Sequence, residues 1–325
     1  MSGVLSRGGS AVGSSGVEAS TDAEVAALLE RVPGWAGRAR VMAVLGGGLT
    51  NRNLFVEAGD EQFVLRLPGN ETQLLSIDRN VEREANERAA ALGIAPEVIA
   101  FLEPEGCLVT RFVPGAALTA EQLATPERVD AIARAVRAFH ESRPLSRAFD
   151  CFRVPEEHRA TAAARGVRIH PTYERAAEYA REIEAAFGVT PEPRVPCHND
   201  LNTANWIADG DRLWLLDWEY AGMNERFFDL GAMTANNEMD ADSEAALLVA
   251  YFGERTPRRA ARLALMKVLS DFREAMWGQV QQAISVLDID YDQYVDAHFD
   301  RLLRNATRPD YRQLLVDAAS PEPTR

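Results

Sequence analysis

A chain of 325 residues has room for a sizeable core in one two-lobed enzyme or two ordinary domains, and its 46% hydrophobic and 26% charged residues are those of a soluble globular protein. A net charge of −14 argues against nucleic acid or an anionic membrane as partner, and no run of 18 or more apolar residues is present to insert into a bilayer as a helix. Cys107, Cys151 and Cys197 form no Cys-x-x-Cys and leave one thiol over in any disulfide scheme, which fits a reducing cytoplasm.

The first twenty residues are rich in Gly and Ser and lack the apolar middle of a signal peptide, so residues 1–21 are read as a disordered tail. Apolar spacing predicts a short helix from Asp22 through Leu29, and Val41–Leu45 is expected to be a buried strand. That strand runs into Gly46-Gly47-Gly48-Leu49-Thr50-Asn51, either an ordinary hairpin turn or a loop whose bare backbone approaches phosphates. Strands follow at Asn53–Glu57 and Gln62–Leu67, with Phe63, Leu65 and Leu67 on one face and Val64 and Arg66 on the other.

Asp78 is placed to cap a helix to Leu92 whose Val81, Ala85, Ala89 and Leu92 face the sheet. Two more strands, Val98–Leu102 and Cys107–Phe112, lead to Phe112-Val113-Pro114-Gly115, where the chain leaves the sheet. From there the pattern is helical. Thr125-Pro126-Glu127 starts a helix with a Val129, Ile132, Ala133, Val136 and Phe139 core stripe, followed by a structural His140, and Pro171–Phe187 is a second amphipathic helix.

The chemistry concentrates in Cys197-His198-Asn199-Asp200-Leu201-Asn202-Thr203-Ala204-Asn205. Phosphoryl transfer needs an Asp to orient or accept the proton of an attacking hydroxyl and an Asn to hold Mg²⁺ on the nucleotide phosphates, and Asp200 and Asn205 have that spacing. Trp206-Ile207-Ala208 and 213–216 flank the turn Asp209-Gly210-Asp211, a hairpin that returns Asp217 beside Asn205 as a second hard oxygen ligand.

This His-x-Asp-x-x-x-x-Asn, hairpin, Asp order resembles the catalytic core of the protein-kinase-like fold. His-Asn-Asp-Leu-Asn-x-x-Asn with Leu-Asp-Trp-Glu-Tyr is more similar to choline/ethanolamine kinases and aminoglycoside phosphotransferases. The resemblance covers roughly residues 40–305 and implies an α+β fold with a small antiparallel-sheet lobe, residues 22–112, and a larger mostly helical lobe, residues 113–319, before a disordered 320–325 tail. It implies ATP and Mg²⁺ as cofactors, Gly47, Gly48, Leu49, Thr50 and Asn51 over the phosphates, and Arg66 in the place of the usual Lys on the α- and β-phosphates; the alternative for Arg66 is solvent at a strand edge. It further implies a Glu paired with Arg66, Glu82 or else Glu84, and adenine contacts from the backbone of Arg111, Phe112 or Val113. Asp229 matches the family's structural Asp.

The gap from Asp217 to Asp229 is too short for a protein kinase activation loop, so a substrate peptide has nothing to lie on. Tyr220 and Trp277 match aromatic pocket residues of the resembling families, and a ring face attracts an ammonium by about 0.5–2 kcal/mol when desolvated. With the acidic Glu219, Asp271 and Glu238 nearby in sequence, the expected partner is a small amino alcohol. Asn236 stands where choline kinases carry an acid, so choline and ethanolamine rank equally. Phosphorylation of an aminoglycoside, thiamine or a sugar is the alternative, and a non-catalytic nucleotide-binding module is disfavoured because Asp200, Asn205 and Asp217 are all present.

Overall fold

A five-stranded antiparallel sheet opens the structure, which is a computed structural model describing residues 22–46, 50–69 and 71–322. Helix α1 (Asp22–Arg31) precedes β1 (Ala39–Leu45), β2 (Asn51–Ala58) and β3 (Glu61–Pro68). Then come α2 (Arg79–Ala91), β4 (Val98–Leu102) and β5 (Cys107–Arg111), and the strand order is β1-β2-β3-β5-β4. Alternation on β3 turns Phe63, Leu65 and Leu67 inward, where they form a small core with Leu54 and Val56 of β2, Trp35, and Val25, Leu28 and Leu29 of α1.

The expected burial of β1 is not found. Val41, Met42 and Val44 are all exposed, because β1 is the outermost strand and overhangs a core centred on β2 and β3. The apolar face of α2 also turns elsewhere than expected. Ala85 and Ala89 belong to the larger core of the helical lobe and Leu92 is exposed. Alanines allow the close approach that ties α2 to the turn at Trp218–Tyr220, and the Leu215 N–H donates to Ile94 O (2.7 Å), so this segment couples the two lobes.

After β5 come β6 (Ala116–Ala117), α3 (Ala120–Leu123), α4 (Pro126–His140), α5 (Val154–Ala164), α6 (Tyr173–Val189), β7 (Val195–Cys197), β8 (Trp206–Asp209), β9 (Arg212–Leu215) and β10 (Gly222–Asn224). Helices α7 (Arg226–Asn236), α8 (Ala241–Phe252), α9 (Pro257–Ile284), α10 (Tyr291–Ala306) and α11 (Tyr311–Ala319) complete the chain. Thr125 precedes α4 without capping it, since its hydroxyl donates back to Gln122 O; the Thr119 and Gln122 side chains instead cap α3 reciprocally.

At the lobe junction Gly115 has φ +149°, and a Cβ there would sit 2.3 Å from Ala208 O, so only glycine lets β6 pair with β8. Helix α9 is buried all round its middle third and forms the axis of the large core, with α7, α10 and α11 packed on it. No helix among the described residues is long and apolar enough to cross a membrane.

Candidate active site

The loop after β7 is built by side chains that satisfy its backbone. Both Asp229 oxygens, buried on α7, accept from the loop: Oδ2 from the His198 N–H (2.8 Å) and Oδ1 from the Asn199 N–H (2.6 Å), while Oδ2 also meets His140 Nε2 (3.0 Å). Asn199 takes a left-handed φ of +68° and is pinned by Asn224 Nδ2 on its Oδ1 (2.8 Å) and by its own Nδ2 donating to Tyr220 O (2.9 Å). Burial pushes His198 down and keeps it neutral, so one tautomer serves both neighbours: Nε2–H donates to Leu216 O (2.9 Å) and Nδ1 accepts the Asp200 N–H (3.2 Å). His140 and Asp229 thus stiffen the loop from behind.

Asp200 stands at the loop's front. Oδ2 accepts from Asn205 Nδ2 (3.2 Å) and Asn202 Nδ2 (3.3 Å), and Oδ1 lies 3.4 Å from Arg273 Nη1. Burial and the nearby Glu274 and Glu219 push its carboxyl up to about 6, against the pull of Arg273. The hairpin of β8 and β9 pairs Trp206 with Leu215, and the Leu216 N–H donates to Asn205 O (2.8 Å), which brings Asp217 next to Asn205. Asp217 is left-handed (φ +61°), and its pKa is raised by its enclosure between the lobes and by Glu219.

These residues suit a hard divalent cation. The Asn205 amide nitrogen is spent on Asp200, which leaves Oδ1 to serve as a ligand, and the Asp217 carboxylate is the more exposed partner in its ion pair. Opposite them stands a cationic wall from the sheet lobe. Arg66, buried on β3, pairs with Glu82 of α2 and reaches Asp217 Oδ1 (3.3 Å), while Glu84 pairs with Arg88 (2.7 Å). Solvent at a strand edge is therefore not where Arg66 lies.

Sequence reasoning missed Arg79, the first residue of α2, whose Nη1 reaches Glu82 (2.8 Å) and Glu219 (3.2 Å) and whose Nη2 donates to Asn51 Oδ1 (2.8 Å). Asn51 Nδ2 also donates to Glu219 Oε2 (2.8 Å). Thr50 is half-buried just before β2, and Gly47, Gly48 and Leu49 lie outside the described residues. At the hinge, the Arg111 and Phe112 N–H groups are spent on Glu97 O (2.9 Å) and Gln62 O (3.0 Å); among the described residues the Val113 N–H finds no partner. The Arg111 side chain pairs at the surface with Glu61 and Glu97.

The expected acceptor residues separate. Tyr220 and Trp277 meet, Trp277 Nε1 donating to Tyr220 Oη (2.8 Å), with the Tyr294 ring centroid 5.7 Å from that of Trp277. Glu219 does not join them. In the tight turn at Trp218–Tyr220 successive side chains diverge, and Glu219 goes to Asn51 and Arg79 of the sheet lobe. Asp271 is fully buried and paired with Arg301 (2.6 Å), with His298 Nδ1 3.0 Å from its Oδ1. Glu238 is exposed and lines another cavity, about 320 Å³, with Lys267, Arg301 and Arg304, a basic lining with no aromatic ring.

In their place stands a pair that the sequence reading passed over, Arg273 and Glu274. Two adjacent charges between Phe272 and Ala275-Met276-Trp277 on a helix buried all round were the available signal. Arg273 Nη1 bridges Asp200 and Glu274 Oε1 (2.7 Å), and Glu274 Oε2 accepts from Tyr294 Oη (2.8 Å).

A model of the phosphotransferase enzyme family matches residues 41–263. The chain is 27% identical over 211 residues to protein LicA of Haemophilus influenzae, spanning 63% of this chain and 61% of that protein's length. It is 26% identical over 288 residues to ethanolamine kinase 2 of Mus musculus, spanning 79% of this chain and 74% of the relative. A choline/ethanolamine kinase family protein from Mesorhizobium loti superposes with a TM-score of 0.76 at 29% identity, covering 91% of this chain and 98% of the other.

Proposed function

The chain belongs to the phosphotransferase enzyme family of small-molecule kinases, and from that premise we propose that it transfers the terminal phosphoryl group of ATP to the hydroxyl of a small amino alcohol of the choline or ethanolamine type. One observation carries the reading: the loop carboxylate Asp200 shares a single guanidinium with Glu274, beside Tyr220, Tyr294 and Trp277. That arrangement offers negative charge to a cation next to the group that receives a hydroxyl proton, whereas a neutral sugar needs convergent amides and hydroxyls.

Asp200 orients the acceptor hydroxyl and takes its proton; a carboxyl near 6 is ionised at neutral pH yet basic enough for the task. Arg66, kept in place by Glu82, binds phosphate oxygens as a fork. Thr50 and Asn51 stand at the phosphates, and the Val113 amide faces the adenine edge. Asn205 and Asp217 would hold Mg²⁺, which supplies charge neutralisation on the phosphates when bound. Three buried free thiols support a reducing, cytoplasmic setting.

The test is ADP release from Mg²⁺–ATP with choline, ethanolamine, an aminoglycoside, thiamine and a neutral sugar as acceptors. Turnover of an amino alcohol with the highest kcat/KM of the panel is expected. Turnover of only the sugar or the aminoglycoside refutes the assignment.

A further inference from the structure

We propose, on the footing of the amino-alcohol reading above, that Glu274 is the residue that selects the acceptor, binding an ammonium that carries at least one N–H, so that a primary amino alcohol is preferred to a quaternary one. A quaternary ammonium has no hydrogen to donate and depends on open ring faces. Tyr220 and Trp277 present little open ring face. The Arg273 guanidinium lies over the Tyr220 ring, 4.3 Å from its centroid, so the protein's own cation occupies the cation–π position. Trp277 is tied by its Nε1 to Tyr220 Oη, is almost fully buried, and is hemmed in by Tyr291 (6.2 Å) and Tyr294 (5.7 Å).

What the pocket offers instead is a carboxylate. Burial alone would raise the Glu274 carboxyl, but Arg273 and His298 outweigh it and hold it below the usual range, so it is ionised. Each Glu274 oxygen has one protein donor, Arg273 Nη1 (2.7 Å) or Tyr294 Oη (2.8 Å), and a carboxylate oxygen accepts two hydrogen bonds. The spacing suits a two-carbon amino alcohol. One guanidinium nitrogen contacts both Asp200 Oδ1 (3.4 Å) and Glu274 Oε1 (2.7 Å), so the two carboxylates lie within two hydrogen-bond lengths of each other. A hydroxyl on Asp200 therefore leaves an amine two carbons away within reach of Glu274. The charge of Arg273 does not repel it, being matched by two carboxylates. Methyl groups in the same place would leave the Glu274 lone pairs desolvated and unpaired, the larger penalty in a buried site.

The experiment is a kcat/KM series with Mg²⁺–ATP on the wild-type enzyme, using ethanolamine, its N-methyl and N,N-dimethyl derivatives, and choline. The expected result is a monotonic fall of about tenfold or more from ethanolamine to choline, carried mainly by KM. In Glu274→Gln, which keeps the shape but removes the charge, that ratio shrinks below about threefold through a raised ethanolamine KM. The wild-type series decides the matter alone if the variant does not fold. Choline used as well as or better than ethanolamine overturns the inference while leaving amino-alcohol phosphorylation standing. A Glu274→Gln enzyme with the wild-type ratio removes Glu274 from the selecting role, and absence of turnover with all four compounds sinks this inference and the amino-alcohol assignment together.

Discussion

Replacing Glu82 by Gln removes the buried negative charge of α2 that Arg66 and Arg79 share. Glu82 is 1% exposed, pairs with Arg66 through one oxygen and accepts from Arg79 Nη1 (2.8 Å) through the other. Stripping one partner from a buried ion pair costs about 3–5 kcal/mol, because the remaining charge stays desolvated. Gln retains a carbonyl acceptor for one of the two guanidiniums, and Arg79 keeps Glu219 and Asn51, so the loss of unfolding free energy expected is about 2–3 kcal/mol. Arg66 then leans on its remaining partner, Asp217 at 3.3 Å, and competes with nucleotide and metal there. The KM for ATP is expected to rise about tenfold, which corresponds to about 1.4 kcal/mol, with kcat changing less than about threefold. Urea unfolding and ATP titration at saturating acceptor measure the two effects. The double variant Arg66→Met/Glu82→Met separates them: stability returns to within about 1 kcal/mol of wild type, since a buried pair exchanged for apolar side chains is close to neutral, while ATP binding stays impaired. A Glu82→Gln protein with unchanged stability and ATP KM, or a double variant that binds ATP normally, refutes the reasoning.

Asp217→Ala is expected to raise the magnesium concentration for half-maximal turnover at fixed ATP by about tenfold or more, and an unchanged magnesium dependence would remove Asp217 from the metal. His158 is buried on α5 and pushed down to about 3 by burial and by Arg273, so its folded value lies below its unfolded one near 6.5. The unfolded chain therefore binds the extra proton first, and stability is lost as pH falls from about 6.5 toward 3. At pH 4.5 the loss is about 2–3 kcal/mol, and His158→Leu should flatten guanidinium-derived stability between pH 7 and 4.5 by that amount; an undiminished decline would place the titration elsewhere.

Short-range rules exposed much of this molecule. The β8–β9 hairpin, the Asp78 cap on α2 and the alternation of β3 each follow from neighbours within a few residues, and each is present. The β2–β3 hairpin is too, across Ala58 and Glu61. What failed depends on tertiary placement. Strand periodicity marks β1 as apolar but not as an edge strand, and an alanine stripe on α2 fits a sheet or a helical core equally well. The acceptor pocket was least legible because proximity in sequence does not survive a tight turn: Glu219 and Tyr220 are adjacent yet serve opposite sides of the cleft. Arg79 looks like any basic residue at a helix start until the fold brings Glu219 to it. Arg273 and Glu274 sit in plain view, but beyond each other their partners stand on distant segments, the Asp200 loop, Tyr220 and α10.

Asp200→Asn tests the central claim most directly, measured as kcat for amino-alcohol phosphorylation beside calorimetric ATP affinity. Asp200 faces Asn202, Asn205 and Arg273 at the acceptor side, and a general base contributes about 10²–10⁴-fold. The expected result is a kcat lowered within that range with ATP affinity inside about twofold of wild type. A variant that keeps more than about a tenth of the wild-type kcat contradicts the assignment of Asp200 as the base.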